Sequence, residues 1–349
     1  MKPEPKIIDP KSDKRWDKFV YKHPGASIYH HSSWGDVIEQ TYRYNPFYLA
    51  FENAETGNFE SIVPFFRIDS KLTGKRLISL PFTSYCNPLI EKEQLDDVVC
   101  FALRYHLDIN HLELRFISNG DEEQADPCKQ QSTFVTNILE IKPDLDEMFR
   151  SFHNTSVRHR IKRAERNKLT VRMAENEQDL KAFYRLTTMT RKKHGLPPQP
   201  YRFFANMWKI LKPKNLLIVP MVEYQGKVIA AAVILKFKET YYFEYSASHQ
   251  RFLKSCPNHK LIWESIKIAH KDGAKYFDFG RSSQSHKSLI EFKERWAAKR
   301  YHLTYCFFPK AKRVNTEGGN GRKILEFVNG HLPNRLLQLE GNFLYPHIG

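Results

Sequence analysis

The stretch Gly273–Trp296, GAKYFDFGRSSQSHKSLIEFKERW, decides how the rest of the chain is read. Tyr276, Phe277 and Phe279 make Lys275 to Phe279 a strand that ends at Gly280-Arg281. The polar Ser282 to Ser288 then leads into a short helix from Ile290. Gly280 permits a tight turn or a close backbone approach. Asp278, Arg281 and Lys293 are thereby expected together at the strand's carboxyl end, where open α/β sheets bind ligands. A plain strand, turn and helix with ordinary surface charges is the competing reading of the same residues.

Working outward, Glu177 to His194 has helical spacing and stops at Gly195, and Pro197, Pro198 and Pro200 enforce an extended turn. Tyr201 to Leu211 is an aromatic-rich helix. Leu216 to Glu223, Lys227 to Phe237 and Thr240 to Ser246 read as antiparallel strands, the first two joined at Gln225-Gly226. A helix, Lys260 to Lys271, then returns the chain to the opening strand. A looser version of the order comes earlier, with strands at Phe47 to Glu52, Glu60 to Ile68, Leu77 to Leu80, His111 to Ile117 and Phe134 to Ile141, and a helix at Leu95 to Asp108. Asp121 to Gln131 reads as an acidic loop and Asn315 to Gly321 as a glycine-rich linker.

The 349 residues suffice for two ordinary domains. The longest apolar runs are strand-length, well short of a membrane span. The N-terminus has no apolar h-region, so nothing in it suggests secretion. Five scattered cysteines without a CxxC pair fit reduced cytoplasmic thiols and give no metal-like spacing. No P-loop, GxGxxG after a strand, GxSxG elbow or HExxH occurs, so hydrolase, kinase and zinc-enzyme readings lose their ordinary support.

The net charge of +16 is uneven: Met1 to Leu145 holds 17 Lys+Arg against 22 Asp+Glu, and the remainder 38 against 17. So basic a second part expects an anionic partner, such as tRNA, a nucleotide-linked sugar or an anionic lipid face. The densest run, Arg158, Arg160, Lys162, Arg163, Arg166 and Lys168, is helical. Arg158, Lys162 and Arg166 then share one face, a stripe able to track phosphates by charge, while Ile161 and Ala164 face the core. A solvated helix face is the alternative.

FDFGRSS followed by FKERW resembles the C-terminal signature of the FemAB-like branch of the GNAT acyltransferase superfamily. That branch includes the Fem-type peptidoglycan bridge-forming aminoacyltransferases and the FemAB-related proteins of exopolysaccharide gene clusters. ISLPFTSYCNPLI (78–90), LELR (112–115), VRHRIKRAERNKL (157–169), RKKHGLPPQP (191–200) and PNHKLIWESIKIAHKDGAKYFDFGRSS (257–283) follow in the same order, so the similarity covers about Trp34 to Tyr305. It implies an α+β fold of two tandem GNAT-like domains, each a mixed, mostly antiparallel sheet flanked by helices. These would span 1–145 and 146–312, with 313–349 a linker and a helix packing back on the first domain.

The resemblance also implies an acyltransferase that moves an aminoacyl or acyl group onto an amine of a cell-envelope precursor, peptidoglycan or polysaccharide, nucleotide- or lipid-linked. Lys293 corresponds to the lysine such enzymes place at the bound substrates. Asp278 either orients Arg281 or helps remove a proton from the amine, completing a catalytic set of Lys293, Asp278 and Arg281. Tyr85, Arg115, Tyr245 and Asn258 are candidates for substrate binding, with Glu113 holding Arg115. Arg158, Arg160, Lys162 and Arg166 are candidates for binding an anion or tRNA. Acetyl-CoA enzymes of the superfamily carry a glycine loop whose amides cradle pyrophosphate at a helix N-terminus. Here Cys256-Pro257-Asn258-His259-Lys260 stands in that place, which favours aminoacyl-tRNA over acyl-CoA as donor.

The muropeptide-using members often have a lysine after the early Trp motif, where this chain has Val37-Ile38, and it lacks a long helical-hairpin arm. The expectation is a cytoplasmic protein in peripheral contact with the inner membrane face, with no tightly bound cofactor, no metal and no DNA partner. The alternatives are an acetyl-CoA-dependent N-acetyltransferase and a non-catalytic RNA- or membrane-surface-binding protein of the same fold.

Overall fold

The computed structural model describes residues 4–117, 134–309 and 327–349. The acidic loop expected at 121–131 and the linker expected at 315–321 lie outside them. By its packing the chain forms two compact units, one of residues up to Phe134 with 302–309 and Leu344–Gly349, the other of Val135–Tyr301 with 327–343. Where the sequence reading drew the boundary at 145/146, the packing draws it after Phe134.

The first unit runs β1 (Lys6–Ile8), α1 (Arg15–Lys22), α2 (Ser32–Tyr42), β2 (Asn45–Glu52), β3 (Phe59–Ser70), β4 (Gly74–Ile78), α3 (Leu95–Tyr105) and β5 (His111–Ile117). Helical spacing buries Trp16 and Val20 of α1 and Trp34, Val37, Ile38 and Thr41 of α2. A Cβ at Gly35 would fall 1.9 Å from the Tyr48 hydroxyl, so only glycine lets α2 lie this close to β2.

The second unit runs β6 (Phe134–Glu140), α4 (Leu145–Ser151), α5 (His159–Arg166), β7 (Thr170–Met173), α6 (Glu177–Lys193), α7 (Tyr201–Leu211), β8 (Leu217–Ile218), β9 (Pro220–Tyr224), β10 (Lys227–Phe237), β11 (Thr240–Ser248), α8 (Pro257–Lys271), β12 (Tyr276–Ser283) and α9 (Lys287–Glu294). β13 (Lys299–Phe308) and α10 (Asn334–Ile348) follow. Asp144 caps α4 by accepting from the Asp146 amide, and the Asn176 side chain caps α6.

Within the first unit β1, β2, β3, β4, β5 and residues 303–308 of β13 are neighbours in that order, all antiparallel except β4 with β5. In the second the order is β6, β12, β11, β10, β9, β7, with β8 also on β10. There β11 and β12 are the parallel pair, connected through α8. β10 is buried along nearly its whole length, and its Ala230, Ala232 and Ile234 share a core with Leu261, Ile262 and Ile266 of α8. A register shift between Val233 and Ile234 leaves Glu244 of β11 as an extra residue, a β-bulge.

Three expectations need correction. The strand at 276 does not end at Gly280-Arg281 but continues to Ser283, passing through Gly280 at φ +72°, a backbone conformation that glycine adopts without strain. β1 and β7 escaped the sequence reading, being three and four residues long. The cysteines are not all thiols: Cys86, Cys100 and Cys256 are free, whereas Cys306 is disulfide-bonded.

Candidate active site

The carboxyl half of β12 and the helix after it form one wall of a cavity of about 270 Å³ in the second unit. Its lining includes Glu244 and Ser246 of β11, Asn258 and Ile262 of α8, Arg281 of β12, and Phe292 and Lys293 of α9. α9 is short, and its inward face is set by Ile290 and Lys293, three apart. Three residues further on, Trp296 is fully buried among Phe152, His259, Phe279 and Phe292. The FKERW motif thus places an aromatic on the cavity, a lysine in its wall and a tryptophan in the core.

Lys293 is only 6% exposed. Its Nζ donates to the Gly280 carbonyl at 2.6 Å, leaving further ammonium protons for a bound group. Burial pulls its pKa down to about 8, against the opposing pull of Asp278 and Glu244. The kink in β12 makes the bond to Gly280 possible, since its carbonyl then faces Lys293 rather than a neighbouring strand. A Cβ at Gly280 would also meet the Phe243 carbonyl oxygen at 3.4 Å.

Asp278 is buried and braces this kink. Its Oδ1 accepts from the Thr136 hydroxyl at 2.5 Å and from the Gly280 amide at 2.8 Å. It does not line the cavity, whereas Arg281, exposed at the rim, does. The three residues chosen from the sequence therefore come together with different tasks: Lys293 and Arg281 meet the cavity, and Asp278 shapes the turn that holds them.

Asn258 also reaches the cavity, from the first turn of α8. Cys256, at φ +61°, and Pro257 begin that helix without a side-chain cap. Next to Asn258, His259 is buried against Trp296, and burial, with Arg160 adding to it, pulls its pKa down to about 4. The ring is therefore neutral at pH 7, and its Nε2–H donates to the Ser156 carbonyl at 3.0 Å, tying α8 to the start of the basic segment.

The basic segment divides. Arg160, Lys162 and Arg166 of α5 are exposed, with Ile161 and Ala164 buried beneath them, as their spacing implied. Arg158 stands apart from that stripe. It ends a π-helical turn, Asn154–Arg158, and is half-buried, its Nε without a hydrogen-bond partner among the described residues.

The remaining candidates do not join the cavity. Tyr245 packs edge-on against Phe203 and Phe204 of α7. In the first unit Tyr85 is buried with its ring edge-on to Tyr29. Arg115 spends its guanidinium on Glu113 at 2.7 Å and on the Leu80 and Thr83 carbonyls, so it fastens the loop after β4. Glu244 is the charged cavity residue that sequence reasoning missed. A bulge is a two-against-one mismatch between strands, and nothing in one strand's sequence announces it.

Residues 151–288 match the model of an acetyltransferase (GNAT) domain. A lipid II:glycine glycyltransferase of Staphylococcus epidermidis is 21% identical over 84% of this chain and 89% of its own length. Among solved structures, FemX aligns with a TM-score of 0.67 at 15% identity, over 87% of this chain and 96% of its own. A tandem GNAT protein from the clavulanic acid biosynthesis pathway aligns with a TM-score of 0.53 at 7% identity, over 88% and 99%. The expected architecture, two GNAT-like folds with mixed, mostly antiparallel sheets flanked by helices, is the one observed.

Proposed function

We propose, from the premise that this chain is a FemAB-related acyltransferase of the GNAT superfamily, that it moves an aminoacyl group from aminoacyl-tRNA onto a primary amine of a lipid-linked cell-wall precursor. The observation that carries the reading is the cavity where a buried lysine ammonium, an arginine and a carboxylate converge at the end of β12.

Transfer forms a C–N bond from the acceptor amine to the ester carbonyl and breaks the C–O bond to the ribose. Both substrates bind together, so no covalent nucleophile is needed. Lys293, anchored on Gly280, offers its remaining protons to the oxyanion of the tetrahedral intermediate. Glu244 takes the proton the amine loses and returns it to the departing ribose oxygen. Arg281 at the rim meets phosphate. The donor assignment is supported by the exposed Arg160, Lys162 and Arg166 and by a proline-started α8 where acetyl-CoA enzymes have glycines.

The test is transfer of a radiolabelled amino acid from charged tRNA to a lipid-linked muropeptide by the purified protein, with acetyl-CoA assayed in parallel. Label in the lipid product that disappears in Lys293→Met is the expected result. Acetyl transfer in place of aminoacyl transfer would replace the donor, and binding of both substrates without turnover would point to a non-catalytic role.

A further inference from the structure

Helix α10 turns an apolar stripe outward. On its inner side Leu337 is fully buried. A Cβ at Gly341 would fall 2.0 Å from the Pro198 carbonyl oxygen, so the helix backbone rests directly on the proline turn after α6. Gln338 adds a hydrogen bond to Thr188 of α6 at 3.2 Å. On the opposite side Leu336, Leu339 and Phe343, at i, i+3 and i+7, are 50%, 63% and 62% exposed. Residues 327–331 are helical too, and Asn329 ties them to α10 by donating to Glu340 at 3.0 Å. There Phe327 and Val328 are 70% and 46% exposed. Single exposed apolar residues are ordinary, but five large ones on adjoining turns mark an interaction surface.

Cationic residues lie on α10 and on the α6 face that it packs against. Thr188, which α10 touches, shares its face of α6 with Arg185 three residues before and Lys192 four after. Arg335 is exposed on α10 itself. An apolar stripe edged with Lys and Arg is how a helix lies in the interface of an anionic bilayer. A second copy fits less well, since a two-fold contact would set these cationic residues against each other.

We propose that α10 and residues 327–331 form the surface by which this protein lies on an anionic lipid bilayer. Leu336, Leu339 and Phe343 enter the acyl boundary, and Arg185, Lys192 and Arg335 meet the head groups. The proposal rests on the preceding reading for its purpose alone: an acceptor carried by a lipid is reached from the membrane surface.

The experiment is flotation with vesicles of phosphatidylethanolamine and phosphatidylglycerol, free of any cell-wall precursor, against vesicles of phosphatidylcholine. The wild type is expected to float with the anionic vesicles, less so as salt rises. Leu336→Gln/Leu339→Gln/Phe343→Gln should weaken partition by about tenfold or more, as loss of buried apolar groups demands. Arg185→Gln/Lys192→Gln/Arg335→Gln should abolish the salt dependence, and serves if the first variant fails to fold. Absence of wild-type flotation overturns the proposal, as does wild-type flotation of both variants. A wild-type dimer that the first variant makes monomeric reassigns the face to a second copy. Vesicle binding without aminoacyl transfer sinks only the catalytic reading; transfer without vesicle binding sinks only this one.

Discussion

Strands β5 and β12 hold the same place in the wiring of their units. Each runs parallel to the strand before it in sequence, and each is reached through one helix, α3 or α8. Each also carries an acid and, shortly after it, an arginine: Glu113 and Arg115, Asp278 and Arg281. In the first unit the two side chains pair at 2.7 Å, and two loop carbonyls accept from the Nη1 of Arg115. In the second, the glycine at φ +72° between acid and arginine turns Asp278 onto Thr136 and the Gly280 amide, and Arg281 goes to the rim of a cavity. The same wiring thus yields a sealed strand end and an open one, according to whether the arginine pairs with the acid of its own strand or stands at the rim of a cavity.

Removing one partner at the sealed end should cost most. Glu113→Ala leaves a buried guanidinium without its counter-ion, and about 3–5 kcal/mol of stability should be lost in chemical denaturation. A loss under 1 kcal/mol would mean that the two strand ends are not so different.

At the open end the effect should fall on turnover. Lys293→Met should lower kcat by about 10²–10³ while the circular dichroism spectrum stays as in the wild type. The lysine also gives this end a pH signature. Its folded pKa of about 8 lies below the ordinary 10.5, so between those values the unfolded chain binds more protons and stability should rise with pH. Transfer should fall over the same window as the ammonium is lost. Opposite slopes of stability and activity above pH 8, both abolished in Lys293→Met, would tie the two to one group.

A smaller effect is expected from Thr136→Val, which removes a donor from buried Asp278 and should cost about 1–3 kcal/mol. A lower kcat with KM unchanged would show that the kink at Gly280 positions Lys293. Smallest for stability is the combined change of Arg160, Lys162 and Arg166 to Gln, within about 0.5 kcal/mol because all three are exposed. It should nonetheless lower the salt slope of tRNA binding by about 3. An unchanged slope would make α5 a solvated face.

Much of this was legible in the sequence because it depends on local periodicity. His111–Ile117, Tyr201–Leu211 and Lys227–Phe237 were read with the bounds they have, each from the spacing of its apolar residues or its turn signals. FDFGRSS and FKERW placed Lys293, Asp278 and Arg281 together by resemblance, and they are together. What side chains do once a strand end is reached was not legible. Tyr85 and Tyr245, read as candidates for substrate binding, pack edge-on against aromatic rings distant in sequence, whereas the hold of Glu113 on Arg115 was read from the sequence and is observed.

The sequence by itself determined the order of elements, because burying apolar faces at periods of 2 and 3.6 constrains every segment on its own; its composition gave the basic character of the second part, and its resemblance to a family implied the tandem fold. Only the tertiary structure decided that β12 runs on past Gly280, that a bulge carries Glu244 into the cavity, and that α10 shows its leucines to the outside. Each depends on what a distant backbone leaves room for: the Phe243 carbonyl behind Gly280, the register of β10 on β11, and the proline turn under Gly341.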